Sequence, residues 1–372
     1  MTTDSMAVDE HALRSSLSSE LGAADSCSLE PLEGGNANET SLLQWDEQEF
    51  VVRRVPPAEP APELLHDLDR EYRVLDALEE TWVPTPDVVT YCDDETVLGE
   101  EFYVMERLEG EVFDTQPPAR FRSPETRQTV GEQTVDRLAQ IHHIDADRVG
   151  LSDLGDPAGH TEQLVEKLTA QLEWAQQRTG ETRELPVCFE VADWLADNVP
   201  PAPHATLVHG DYKLDNLLFG IPDAPRITGV LDWEMATRGD PLTDLGWVLS
   251  YWAEAEDPSP ITDGIEAAYG DHEQFPVLEV FVEEYSAFMT HPEYHSRQEL
   301  VDRYERQTGI EYDHDRFYRA LGAFKLAALC EGFYRMYLED APNVKESYPA
   351  MELIVPALGR KARQIIEGEV PL

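Results

Sequence analysis

Lysine is what this chain lacks most. Its 372 residues include five lysines, and none precedes Lys167. No ε-ammonium can therefore be supplied by residues 1–166. Lys plus Arg amounts to 28 against 75 Asp plus Glu, a net charge of −47. Such a chain repels phosphate backbones, which excludes nucleic acid as an expected partner. Cysteine is also scarce. Cys27, Cys92, Cys188 and Cys330 lie far apart, with no C-x-x-C and no Cys/His cluster. That spacing argues against a disulfide framework and against zinc, and predicts four buried thiols. No apolar run approaches membrane-spanning length. Residues 1–20 are acidic and polar, unlike a signal peptide. A cytoplasmic protein with no membrane partner is expected.

What is present points to a folded protein. Apolar residues make up 41% of the chain, too many for disorder. The length allows a large core and two lobes. The acid excess is spread along the chain and forms no tail. A dispersed acidic, lysine-poor surface fits work in concentrated salt, where screening removes self-repulsion.

Asp9 reads as the cap of a three-turn helix carrying Leu13, Leu17 and Leu21, with Gly22 as its stop. Strands are predicted at 26–32, 40–45 and 49–55. The first turn holds Gly34, Gly35 and Asn36. It reads as a hairpin loop whose exposed amides would also suit phosphate. The third strand ends in Val51-Val52-Arg53-Arg54, before Pro56 and Pro57. A helix over 62–80 carries Leu65, Leu68, Tyr72, Leu75 and Leu78 on one face, with Glu71 beside the stripe as a solvated charge. Strands at 87–93 and 101–108 follow. Residues 1–108 thus read as a five-stranded antiparallel sheet with one main helix.

From 109 to 372 the pattern is mainly helical. Ser123 caps a helix with Pro124 in its first turn, and helices follow at 161–178 and 186–198. Beyond Trp233 the clearest helices are 242–252, 277–289, 296–307 and 315–338. The overall class is α+β in two lobes, 1–108 and 109–372.

The chemistry concentrates in Leu207-Val208-His209-Gly210-Asp211-Tyr212-Lys213-Leu214-Asp215-Asn216, followed by a strand ending in Asp232-Trp233-Glu234. Hairpin strands would gather Asp211, Asn216 and Asp232 at one end. Asp211 suits the base that orients or deprotonates a hydroxyl. Asn216 and Asp232 are hard oxygen donors suited to Mg²⁺. His209 braces the loop. Lys213 is either a phosphate partner or a plain surface lysine.

His-x-Asp-x-x-x-x-Asn, a strand and a second Asp resemble the aminoglycoside phosphotransferase family, which has the protein kinase-like fold. Gly239-Asp240-Pro241-Leu242-Thr243-Asp244 resembles that family's next signature, in which Asp244 would hold the catalytic loop by hydrogen bonds. A helix N-cap at Asp244 is compatible with that role. The resemblance implies an ATP- and Mg²⁺-dependent kinase acting on a small-molecule hydroxyl. It places the phosphate-covering loop at Gly34, Gly35 and Asn36. It also puts Arg53 where kinases carry a strand lysine and Glu71 where its helix partner stands. Arg53 is preferred over Arg54 because it shares a face with Val51. Met105, Glu106 and Arg107 resemble the adenine-binding hinge. The absence of Phe-Gly after Asp232, and of an Ala-Pro-Glu segment closing an activation loop beyond it, sets the chain apart from regulated protein kinases.

Val51 to Arg54, Arg70-Glu71-Tyr72-Arg73, Gly150-Leu151-Ser152-Asp153-Leu154-Gly155 and the helix around Leu326 to Gly332 resemble a subgroup. These are the kinase-like domains fused to, or encoded near, acyl-CoA dehydrogenases. That resemblance implies a hydroxyacyl-CoA acceptor, which Glu331 and Tyr334 could face, although a core helix with a polar edge is the better reading for either residue alone. Two other readings stand beside it: antibiotic phosphorylation, and a nucleotide-binding regulator without catalysis. The composition also makes a prediction of its own. Dialysis from concentrated to low salt should unfold the protein, followed by circular dichroism, and full stability in low salt would contradict a salt-adapted surface.

Overall fold

The computed structural model describes residues 10–32, 39–55, 68–113, 116–220, 225–284, 287–341 and 344–372. The turn bearing Gly34, Gly35 and Asn36 lies outside these residues, as does Leu65 of the predicted helix face.

Helix α1 (Glu10–Leu21) leads into strands β1 (Cys27–Pro31), β2 (Glu39–Trp45) and β3 (Gln48–Arg54). Helix α2 (Leu68–Leu78), β4 (Val88–Cys92), the short α3 (Glu95–Leu98) and β5 (Phe102–Glu106) follow. The five strands form one antiparallel sheet in the order β1-β2-β3-β5-β4. Side-chain alternation divides its faces. Val52, Phe102 and Val104 join Leu13, Leu17 and Leu98 in a small core under α1 and α3. Tyr103 and Met105 turn to the opposite face and pack with Val74, Leu75 and Leu78 of α2 in the main core. Val51 and Arg53 are paired with Met105 and Tyr103 across the ladder and share that face.

The rest of the chain is mainly helical. Helices α4 (Pro124–His142), α5 (His160–Thr179) and α6 (Pro186–Asp197) precede β6 (Thr206–Val208). Ser123 caps α4 by accepting from Thr126 N–H. Strands β7 (Leu217–Gly220) and β8 (Arg226–Val230) form a hairpin, and β9 (Thr237–Gly239) returns to pair with β6. Helices α7 (Leu242–Tyr251), α8 (Asp263–Tyr269), α9 (Phe275–Glu284), α10 (Arg297–Thr308), α11 (Asp315–Leu338) and α12 (Met351–Glu367) complete the chain.

Helix α11 is the centre of this part. Fifteen of its 24 residues are buried, so it is covered nearly all round. It packs against α5, α7 and α12. The buried set includes Arg319, Lys325 and Glu331, so charge is enclosed with the apolar residues.

Several expectations need correction. Glu71 is 1% exposed and is no solvated charge. Glu331 is fully buried and chelated by Arg183 at 2.8 and 2.6 Å, and Tyr334 is buried with its hydroxyl donating to Glu352 at 2.8 Å. Both side chains therefore serve the core and do not face an acceptor. Cys27, Cys188 and Cys330 are buried, whereas Cys92 is half-buried beside Ser16. Helix α12 escaped the periodicity reading because Pro356 lies inside it.

The contact between α7 and α11 is tight. A Cβ at Gly246 would meet the Tyr318 backbone and Cβ at 2.5–2.7 Å. Gly246→Ala should therefore cost about 1–3 kcal/mol of stability by overpacking. Urea denaturation checks this, and an unchanged midpoint would contradict it.

Candidate active site

The loop after β6 owes its shape to Gly210 and Asp244. Gly210 has φ +84°, and a Cβ there would lie 2.5 Å from Met235 O. Only glycine accepts both conditions without strain. Asp244, in the first turn of α7, takes the two loop amides. Its Oδ2 accepts from His209 N–H at 2.7 Å and its Oδ1 from Gly210 N–H at 2.9 Å. His142 of α4 lies 3.3 Å from the same Oδ2. Burial alone would raise the Asp244 pKa, but His142 and His209 hold it below the usual carboxylate value. Asp244 does not cap α7. That task falls to Asp240, whose Oδ1 accepts from Leu242 N–H at 3.0 Å.

His209 is fully buried. Its Nε2 lies 3.0 Å from Leu231 O, and its Nδ1 accepts from Asp211 N–H at 3.2 Å. These partners require the neutral tautomer with the proton on Nε2. Burial pushes the His209 pKa down, consistent with a brace and not a charged acid. Trp233 packs against the ring, tilted by 40° with centroids 4.5 Å apart, which gives the Trp after Asp232 a packing role.

Asp211 is held from both sides. Asn216 Nδ2 donates to Asp211 O and Oδ2, each at 2.9 Å. Lys213 Nζ lies 3.7 Å from Oδ2 and Lys325 Nζ 3.8 Å from Oδ1. Lys213 also donates to Asp215 at 3.0 Å, and its side chain is 22% exposed, so it is no plain surface lysine. Leu231 N–H donates to Asn216 O at 2.9 Å, which draws the residue before Asp232 to the same loop.

Asp232 adopts φ +68° and accepts two hydrogen bonds on Oδ1 from Arg53, both at 3.0 Å. Burial raises its pKa but Arg53 more than offsets this, leaving it lowered. The same guanidinium lies 3.2 Å from Glu71 and 3.3 Å from Glu234. Burial, aided by the Asp232 charge, pushes the Glu234 carboxyl well above its ordinary value. Arg54 faces away, bonded to Leu98 O and Glu39. Met105 is buried on the Arg53 face. The Arg107 side chain pairs with Glu49.

The structure also links the two stretches singled out by the subgroup resemblance. Arg70 donates to Leu154 O at 3.3 Å and to Ala236 O at 2.9 Å, and Arg73 pairs with Asp153 at 2.7 Å. Sequence reasoning missed Glu234, His142 and Lys325. The rarity of lysine was the available signal for the last.

Among the described residues no group of three or more His, Cys, Asp or Glu side chains is set to hold a metal. The site instead offers one carboxylate and one amide. Asp232 Oδ2 accepts no hydrogen bond among the described residues, and the Asn216 amide spends its Nδ2 on Asp211. Two hard oxygens remain, beside four further carboxyl groups, Glu71, Glu234, Asp211 and Asp215, that face Arg53, Lys213 and Lys325. This donor set fits Mg²⁺ shared with phosphate oxygens.

The profile of the phosphotransferase enzyme family matches residues 28–278, and the chain belongs to that family. Its α+β architecture is the kinase-like fold of the aminoglycoside phosphotransferases. A solved Ralstonia eutropha protein classed among those enzymes is 28% identical, with a TM-score of 0.73 over 96% of this chain and 98% of its own. Human acyl-CoA dehydrogenase family member 11 is 31% identical over 326 residues, 87% of this chain and 38% of that protein. The chain thus spans less than half the length of that relative. Homoserine kinase of Pseudomonas aeruginosa is 28% identical over 288 residues, 72% of this chain and 79% of the enzyme. No helix among the described residues is long and apolar enough to cross a membrane.

Two predictions follow from the loop. Asp244→Ala strands the buried His209 amide and the half-buried Gly210 amide and should cost about 3–5 kcal/mol in urea denaturation, against which a near-neutral result would count. His209 lowers its pKa on folding, so below its ordinary value of 6.5 the unfolded chain binds more protons. Its contribution to stability is therefore present above that value and lost as pH falls. The stability difference between about pH 7.5 and about pH 5.5 should be smaller in His209→Asn than in wild type. Equal differences would contradict neutral burial.

Proposed function

We propose that the protein transfers the γ-phosphate of ATP to a hydroxyl of a small metabolite. The observation that carries this reading is the convergence of Asp211, Asn216 and Asp232 on one loop system, with Arg53 and Glu71 paired beside it. Asp211 is the base. It orients the acceptor hydroxyl and takes its proton while the oxygen–phosphorus bond forms and the bond to ADP breaks. Asn216 and Asp232 would hold Mg²⁺, which when bound supplies charge neutralisation at the phosphates. Arg53, aligned by Glu71, and Lys213 face the same phosphates. His209 and Asp244 hold the loop. Gly34, Gly35 and Asn36 would cover the phosphates, and the backbone of Met105 to Arg107, at the end of β5, would receive adenine.

Arginine in place of the strand lysine is compatible with activity. A guanidinium keeps its charge and offers several donors in one plane. The hydroxyacyl-CoA acceptor is the finer reading, supported by the likeness to acyl-CoA dehydrogenase family member 11 and by no residue that reads out an acyl chain. The Ralstonia eutropha relative keeps antibiotic phosphorylation as the second reading. A catalytically silent nucleotide-binding role is disfavoured, because it has no chemical need of Asp211. The dispersed acidic surface supports assays in concentrated salt.

Asp211→Asn should abolish phosphate transfer while leaving nucleotide binding intact. Radiometric transfer and calorimetric titration check the two halves, and retained turnover would remove Asp211 from the role of base.

A further inference from the structure

The scarcest cation in this chain gathers at one carboxylate. Of five lysines, two reach Asp211. Lys213 belongs to the loop itself. Lys325 comes from the middle of α11 and is 4% exposed, with Phe324, Ala327 and Ala328 buried around it. Its Nζ donates to Gly210 O, faces Asp211 Oδ1 and lies 4.2 Å from the centre of the Trp247 ring. Enclosing an ammonium in a core helix is costly unless charge and hydrogen bonds compensate, and an apolar side chain of similar length would pack without that cost. The position calls for a reason beyond packing.

The geometry supplies one. Gly210 is the most permissive residue of the loop, with positive φ and no side chain. Asp244 pins its N–H and Lys325 pins its carbonyl. The next residue is Asp211, whose Oδ2 is fixed by Asn216 and whose Oδ1 faces Lys325. Lys325 thus completes the restraint on both the peptide before the carboxylate and the carboxylate itself. We propose that Lys325 is a positioning residue for phosphate transfer, acting through the Gly210 carbonyl and Asp211. Its effect on rate rests on the reading of Asp211 as base; its effect on the loop does not.

The test uses the full chain in concentrated salt, with Lys325→Met and Lys325→Arg beside wild type. Amide hydrogen exchange over residues 209–213, nucleotide affinity and the transfer rate at saturating substrates are measured for each. Lys325→Met should exchange faster in the loop, bind nucleotide as wild type does and transfer phosphate about 100-fold more slowly, the scale of a small misplacement of a reacting group. Lys325→Arg should recover most of the loop protection and most of the rate. Wild-type loop exchange or a wild-type rate in Lys325→Met overturns the proposal. So does joint loss of fold and nucleotide binding in Lys325→Met that Lys325→Arg leaves unrepaired, because the role would then be structural alone. If wild type transfers no phosphate to any acceptor, the kinase reading fails, and loop exchange alone decides whether Lys325 holds the loop.

Discussion

A single guanidinium ties three parts of the chain together. Arg53 comes from β3, Glu71 from α2, and Asp232 and Glu234 from the turn after β8. Three carboxylates brought this close repel one another, and their burial makes the repulsion stronger than in water. Arg53 turns that repulsion into attachment. A lysine would bring a point charge, whereas the planar fork of arginine can address three acids in different directions. The sheet, its helix and the turn are therefore positioned by one cation. Its removal would leave buried charges uncompensated, a more severe loss than the loss of a surface pair.

The loop opposite follows the same logic with the signs reversed. There one buried carboxylate, Asp244, gathers the His209 and Gly210 amides and meets His142 from α4. Asp211 emerges from that clamp with each of its oxygens faced by a donor or cation. Contacts within the protein hold the loop, as preorganised chemistry requires. The two clusters meet through the Leu231–Asn216 hydrogen bond, so the Arg53 system and the Asp211 system form one site.

Much of this was legible in the sequence, for specific reasons. The five strands follow from five short apolar runs with turn residues between them, though their order in the sheet does not, and period-two alternation was enough to choose Arg53 over Arg54 for the Glu71 face. The spacing of His209, Asp211 and Asn216 is a local pattern, so it survives in one dimension. Glu234 and Lys325 were missed because their partners lie 181 and 115 residues away and no local periodicity encodes such contacts. For Glu331 the core reading was the better one from sequence, and the structure gives its reason. Its place on α11 was clear, but its partner Arg183 comes from the turn after α5, and that pair makes it a core residue. Glu71 reads as solvated from its own helix alone; the family resemblance paired it with Arg53, and the two lie 3.2 Å apart.

Phosphate transfer itself is the claim on which the rest depends. The direct measurement is the movement of label from γ-labelled ATP, in concentrated salt with Mg²⁺, to a panel of small hydroxyl compounds that includes hydroxyacyl-CoAs and aminoglycosides. The account predicts a phosphorylated small molecule that forms only when Mg²⁺ is present. ATP that binds the site yet keeps its label with every acceptor would contradict the account and favour a binding role.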